Sequence, residues 1–155
     1  MKKLLLFGAL LYGMVTMAQT SQKRDPVNQI DYEMKLVQPG SYIMISTYKS
    51  KTEQDKSLVL KTSTLNNLNP KGVRIRLSNG ENLIFDKTPL EFTGYAPERP
   101  NLTAKILITS ELEQKLAGQE IVEFSLGQIK TPVKYQEPYE NLQSLLKMVK
   151  DDRGF

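Results

Sequence analysis

Apolar and polar residues alternate along much of this chain, and a period of two is typical of strands that bury one face. One such run covers 30–36, and after a turn at Pro39 and Gly40 the pattern resumes over 41–48. In the second run Ile43 and Ile45 share one face, opposite Tyr42, Met44, Ser46 and Tyr48. Nine segments are predicted as strands, at 30–36, 41–48, 57–62, two arms of a hairpin within 73–85, 90–95, 102–108, 121–126 and 129–135.

The hairpin within 73–85 has the clearest local signal. Asn79 and Gly80 supply the two positive-φ positions of a two-residue type I′ turn. In the arm before this turn, apolar Val73, Ile75 and Leu77 fall on one face, so Arg74 and Arg76 fall on the other. By contrast, residues 49–56 contain no apolar side chain and are predicted to form a surface loop.

Two segments have helical patterns. Ser110 and Glu113 have capping-box spacing, which predicts a helix over 110–117 that ends at Gly118. Pro138 suits a first helical turn, and an apolar stripe at helical spacing follows it: Tyr139, Leu142, Leu145, Leu146 and Val149. We therefore expect a short helix near Ser110 and an amphipathic helix at the C-terminus.

Nine strands against two helices predict a mainly β domain, built as an antiparallel β-sandwich or an open barrel. The alternative is an α+β fold, in which strand 102–108, the short helix and strand 121–126 form a separate layer. Pro132 predicts that the last strand lies at a sheet edge. We expect one domain over 30–150, a polar lead-in at 19–29 and a tail at 151–155.

The first eighteen residues have the organisation of a cleavable signal peptide. Lys2 and Lys3 precede an apolar stretch at 4–15, which is shorter than the ~20 residues of a bilayer span. Thr16, Met17 and Ala18 then match the small-residue cleavage pattern, which predicts a mature chain beginning at Gln19. No cysteine is present to accept a lipid, so we expect an exported soluble protein, periplasmic or extracellular.

The composition excludes several kinds of catalytic and binding site. The chain has no His and no Cys, so the commonest neutral-pH base, the strongest thiolate nucleophile and disulfides are all excluded. Removal of Lys2 and Lys3 with the signal lowers the formal net charge from +4 to +2, too little to indicate a nucleic-acid partner. We expect no catalytic residue, no metal site and no cofactor.

Four residues are candidates for a ligand site on a basic face. Lys61, Arg74 and Arg76 would lie together if the strand at 57–62 paired beside the hairpin, and Tyr48 would add a ring for stacking. The alternative is an ordinary solvated sheet face, because Glu53, Asp55, Glu81 and Asp86 dilute the same region.

These features favour an exported, non-enzymatic binding or interaction module of the bacterial cell envelope. Its expected partner is an envelope protein or a polysaccharide. Two other functions stay open at this point. One is a hydrolase or lyase that uses carboxylates, and the other is a small-ligand carrier whose strands enclose an apolar cavity.

Overall fold

The computed structural model describes residues 28–64, 71–93 and 100–155. These ranges contain nine strands and two helices, which confirms the prediction of a mainly β fold. The strands are β1 (Asn28–Lys35), β2 (Tyr42–Lys49), β3 (Gln54–Ser63), β4 (Lys71–Leu77), β5 (Asn82–Pro89), β6 (Glu91–Thr93), β7 (Asn101–Leu107), β8 (Ile121–Leu126) and β9 (Ile129–Pro132). The helices are α1 (Ser110–Leu116) and α2 (Leu142–Arg153). The predicted signal peptide lies outside the described residues.

The strands form two antiparallel sheets. One has five strands in the order β1-β2-β3-β7-β6, and the other has four in the order β5-β4-β8-β9. The α+β alternative grouped β7, α1 and β8 in one layer, but β7 and β8 belong to different sheets. Strand β9, which contains Pro132, lies at a sheet edge as predicted, because a residue without an N–H group is tolerated there.

The two sheets are connected along both sides. On one side the chain passes from Pro89 at the end of β5 to Glu91 at the start of β6, and so from one sheet to the other. On the other side Leu36 and Tyr135 form an antiparallel bridge, and the Val37 N–H donates to the Lys134 carbonyl at 2.7 Å. The sheets therefore enclose a shared interior.

One hydrophobic cluster fills this interior, and both sheets and both helices contribute to it. Inward and outward residues alternate along each strand, and this decides which side chains join the cluster. Ile43 and Ile45 point inward from β2, and Leu58 and Leu60 point inward from β3. Each fully buried side chain of this kind stabilises the fold by about 1.5–3 kcal/mol. The fold therefore holds without disulfides.

The hairpin of β4 and β5 forms as predicted, but its turn differs. No residue other than glycine has a positive φ among the described residues, so Asn79 does not adopt the type I′ conformation. Instead the Leu77 N–H donates to the Glu81 carbonyl at 2.9 Å, which leaves a three-residue loop that ends at Gly80, with φ of 86°. This is the loop class with a glycine bulge.

The flanking strands explain the longer loop. Ile75 lies opposite Leu83, and Val73 lies opposite Phe85, so apolar side chains meet on one face. A two-residue loop would shift the pairing by one residue and set Val73 against Asp86. The burial of Leu83 and the packing of Phe85 against the core therefore favour the observed loop.

Strand β3 begins earlier than predicted, at Gln54, and the surface loop expected over 49–56 is limited to a tight turn. The Ser50 N–H donates to the Glu53 carbonyl at 2.8 Å, and Asp55 already pairs with Tyr48. Strand pairing needs only the backbone, so a polar segment extends the ladder. The charges are not all solvated, since Lys56 is 11% exposed and pairs with Glu113.

Helix α1 begins at Ser110 as predicted, with a different N-cap, and α2 begins later than predicted. Thr109 is the N-cap of α1, because its hydroxyl accepts from the Leu112 N–H at 3.2 Å. Asn141 caps α2 in the same way, accepting from the Ser144 N–H at 2.7 Å. Pro138 therefore precedes this helix, and Tyr139, predicted to lie in the apolar stripe, is 73% exposed.

The C-terminal residues belong to the fold. Residues 151–153, predicted to be a tail, continue α2 to Arg153, and Gly154 ends the helix with φ of 72°. Phe155 then packs against the core cluster. The domain therefore extends beyond residue 150.

Strand β8 departs from strict alternation. The ladder with β4 shifts register between Arg76 and Leu77, and Ile121 rather than Val122 is buried. The bulge leaves Val122 37% exposed.

The two helices meet at a junction around Glu120. Its carboxylate accepts from the Leu142 N–H at 2.8 Å and the Gln143 N–H at 3.3 Å, the first two amides of α2. The Gln143 side chain in turn donates to the carbonyls of Leu116 and Gln119, at 2.9 and 2.6 Å. One helix end thus satisfies polar groups of the other.

Candidate functional site

The four residues predicted for a basic face do not lie on one surface. Tyr48 and Lys61 face outward from the five-stranded sheet, on β2 and β3, whereas Arg74 and Arg76 face outward from β4 in the four-stranded sheet. The two neighbours of β3 are β2 and β7, so its pairing beside the hairpin, on which that face depended, does not occur.

Tyr48 and Lys61 are also far apart on their own sheet. Lys61 lies opposite Tyr42, and its Nζ is 4.9 Å from the centre of that ring, a cation–π contact. Tyr48 lies six residues further along β2, roughly 20 Å away. Tyr42, which alternation placed only on the face opposite Ile43 and Ile45, is thus the ring that Lys61 contacts.

The outward face of the five-stranded sheet carries an elongated depression. Two shallow cavities of about 270 and 340 Å³ adjoin there, because Gln29, Ser46 and Lys105 line both. We call the two together the strand-face groove. Tyr42, Met44, Val59, Pro89, Glu91 and Thr103 complete the lining at one end, and Tyr48, Glu53, Asp55, Ser57 and Leu107 complete it at the other.

The period of the strands produces this groove. Tyr42, Met44, Ser46 and Tyr48 share one face of β2, as predicted, and the structure shows that this face points outward. Ser46 and the neighbouring Val59 form a buried floor, while Gln29 and Lys105 are exposed at the sides. The result combines rings, aliphatic groups, a hydroxyl, an amide and charged groups along one line.

Tyr42 gives the groove a neutral phenol. Burial raises the pKa of its hydroxyl, and the nearby carboxylates of Glu33 and Asp31 raise it further. The hydroxyl is therefore protonated at neutral pH and can both donate and accept a hydrogen bond. One part of the ring is in contact with Lys61.

The groove itself is more acidic than basic. Glu53, Asp55 and Glu91 line it, and Lys105 is the one basic residue among the lining residues that the structure describes. Its field therefore disfavours a strongly anionic ligand, the opposite of the prediction made for Lys61 and Tyr48.

The outward face of the four-stranded sheet is basic. Arg74 lies opposite Ser125 on β8, and Ser125 lies opposite Lys130 on β9, so the three form one row. In the next row Arg76 faces Glu123, and the guanidinium lies 3.7 Å from the carboxylate. Lys130 was missed by sequence reasoning because its position beside Arg74 depends on pairing between strands far apart in the chain.

A further depression, of about 220 Å³, lies between β5 and α1. Lys115 in its wall already bridges Glu81 at 3.2 Å and Glu111 at 3.9 Å. These ion pairs engage the charged groups that a ligand would need, so this depression is the weaker candidate.

The described residues contain neither a metal centre nor a membrane-spanning helix. Within 28–64, 71–93 and 100–155, no group of three or more metal-ligating side chains is positioned to hold a metal ion. In the same ranges, none of the helices has the length and apolar character needed to cross a membrane.

Compared with protein-family models, with curated proteins and with solved structures, the chain has no match. The geometry of the strand-face groove is therefore the basis for a functional proposal.

Proposed function

We propose that this protein is an exported, non-enzymatic binding module of the bacterial cell envelope, and that the strand-face groove holds a segment of polysaccharide. The signal-like N-terminus supports export, because its basic, apolar and small-residue regions follow one another in the required order. The groove supports binding and gives the ligand class.

The observation that carries the proposal is the length of the groove. Its two cavities adjoin along β2, with Tyr42 at one end and Tyr48 at the other, roughly 20 Å apart. A chain-like ligand with several sugar rings in a row fits such a shape. A single small molecule would occupy one end.

The lining also suits sugars. The C–H face of a sugar ring stacks on an aromatic ring, and its hydroxyls hydrogen-bond to amides, hydroxyls and charged groups. Tyr42, Gln29, Ser46 and Lys105 supply each of these partners. The carboxylates of the groove favour a neutral polymer over an anionic one.

The openness of the groove favours a polymer over the other predicted ligands. Both cavities open onto the surface, whereas a carrier of small apolar ligands would enclose its cargo.

The test uses protein recovered after export from a bacterial host, with N-terminal sequencing expected to begin at Gln19. Affinity electrophoresis in gels that contain a neutral glucan, a mannan or solubilised peptidoglycan then measures binding. We expect retardation by at least one of these polymers. Tyr42→Ala should weaken it by about tenfold, close to the 1.4 kcal/mol expected when a stacked ring is lost.

Tyr139→Ala is the matched control, because Tyr139 is exposed and lies outside the groove. It should bind as tightly as the wild type. The polysaccharide proposal fails if none of the polymers retards the wild type, or if the two tyrosine variants lose binding equally. A retained Met1 in the exported fraction would contradict the export proposal.

A further inference from the structure

The basic face of the four-stranded sheet has no part in the proposed function. We propose that Arg74, Ser125 and Lys130 form a second binding site, which takes a phosphate group of an envelope component. The site lies on a different sheet from the strand-face groove, so each can be tested without the other.

The backbone register places the three side chains in one row. Arg74 pairs with Ser125 across β4 and β8, and Ser125 pairs with Lys130 across β8 and β9. Neighbouring strands lie about 4.8 Å apart, so the Cα atoms of Arg74 and Lys130 are separated by about 10 Å. Both side chains are long enough to converge above the Ser125 hydroxyl.

The ion pairs of this face leave the row positively charged. Glu123, the acidic residue of the adjoining row, is engaged by Arg76 at 3.7 Å. Within the part of the chain that the structure describes, neither Arg74 nor Lys130 has an ion-pair partner. Two unpaired cations therefore lie on either side of one hydroxyl.

The donors match a phosphate better than a carboxylate. The guanidinium of Arg74 can donate to two oxygens in parallel, the Ser125 hydroxyl to a third, and the Lys130 ammonium adds a compact charge. A carboxylate offers these donors only two oxygens, whereas a phosphate offers at least three. Ile84 lies opposite Arg74 on β5 and is 53% exposed, so an apolar side chain lies beside the row.

The phosphate could come from a lipid headgroup or from a soluble phosphate. Isothermal titration of the mature protein with inorganic phosphate at constant ionic strength measures the shared chemistry. The double variant Arg74→Ala/Lys130→Ala should weaken binding by about tenfold or more, which corresponds to 1.4 kcal/mol. Ser125→Ala keeps both charges and should weaken it by a smaller factor.

The matched control is Lys87→Ala/Lys147→Ala, which removes the same net charge at two exposed positions outside the row. It should leave phosphate binding unchanged, as should Tyr42→Ala in the strand-face groove. Equal weakening in the two double variants would mean that net charge alone attracts phosphate, and this would overturn the proposal, as would absence of binding by the wild type.

Sedimentation with vesicles separates the two sources. If the phosphate belongs to a lipid, phosphatidylglycerol vesicles should carry down the wild type but not Arg74→Ala/Lys130→Ala, and phosphatidylcholine vesicles should carry down neither. If it belongs to a soluble polymer, polyphosphate should bind the wild type and the vesicles should not. Vesicle or polyphosphate binding that is identical in the two proteins would overturn the assignment of these residues.

Discussion

Tyr135 offers a sharp test of the structure because its hydroxyl is buried without a hydrogen-bond partner among the described residues. Such a group costs about 1–3 kcal/mol, since it gives up water and gains nothing in return. In most folded proteins Tyr→Phe breaks a hydrogen bond and destabilises. Here Tyr135→Phe removes only the orphan hydroxyl and keeps the ring that packs against the core, so we expect it to stabilise by about 1 kcal/mol.

The same substitution should change how the free energy of unfolding depends on pH above about pH 9. Burial raises the pKa of Tyr135 well above its usual value of about 10, and Glu120 and Glu140 raise it further. A group whose pKa is raised by folding contributes stability below its unfolded pKa and loses it as the pH rises. Between pH 9 and pH 11 this loss reaches about 1.4 kcal/mol for the wild type, so the advantage of Tyr135→Phe should widen by that amount.

Urea unfolding followed by far-ultraviolet circular dichroism at pH 7, 9 and 11 measures both effects. The free energy of unfolding should fall more steeply with rising pH for the wild type than for the variant. The variant should keep only the smaller pH dependence that comes from Tyr32 and Tyr42, whose pKa values are also raised. A variant less stable than the wild type at pH 7 would show that the hydroxyl is hydrogen-bonded. Parallel pH profiles would refute the burial of the phenol.

Two further substitutions test the helix junction and the first turn. Glu120→Ala removes both acceptors at the start of α2 and should lower the free energy of unfolding by about 2 kcal/mol. Glu137 is an exposed carboxylate nearby, so Glu137→Ala is the control and should leave the urea midpoint unchanged. Gly40→Ala should also cost about 2 kcal/mol, because φ is 73° and a Cβ there would lie 2.1 Å from the Ser63 hydroxyl. Equal midpoints for Gly40→Ala and the wild type would show that this turn relaxes freely.

Strand identity was predictable wherever the period of two was intact. The inward positions of β2 and β3, such as Ile43 and Leu58, follow from alternation alone. Boundaries were less predictable where pairing rather than burial extends a strand, as at Gln54 and Asp55, because polar residues pair by backbone alone. Helix α1 begins at Ser110 as its capping pattern predicted, but Thr109 is the N-cap, because its hydroxyl accepts from the Leu112 N–H.

The type of the hairpin turn could have been predicted from the sequence. The dipeptide Asn79-Gly80 favours a two-residue loop, but only a three-residue loop sets Ile75 against Leu83. Core burial of a whole strand face outweighs a local turn preference. Testing the register of the flanking residues before assigning the turn would have given the observed loop.

The candidate site was the least predictable part. Whether Lys61 lies near Arg74 depends on which strands pair, and the residues of β3 pair with residues of β7 that lie 38 to 50 positions further along the chain. Likewise the groove forms only when Gln29, Ser46 and Lys105 are brought together from three strands. Alternation determines the face that a side chain occupies, but not its neighbours across a sheet.

The side of the fold where β1 meets the end of α2 has a consequence for how the chain folds. The Arg153 guanidinium donates to the Asn28 carbonyl at 2.8 Å across 125 positions, and the Lys49 ammonium donates to the Arg153 carbonyl across 104. Since such contacts close only after nearly all of the chain is available, folding should be slow and should finish late in synthesis. Late folding of this kind would suit the proposed export, because a chain has to be unfolded to pass through a narrow channel.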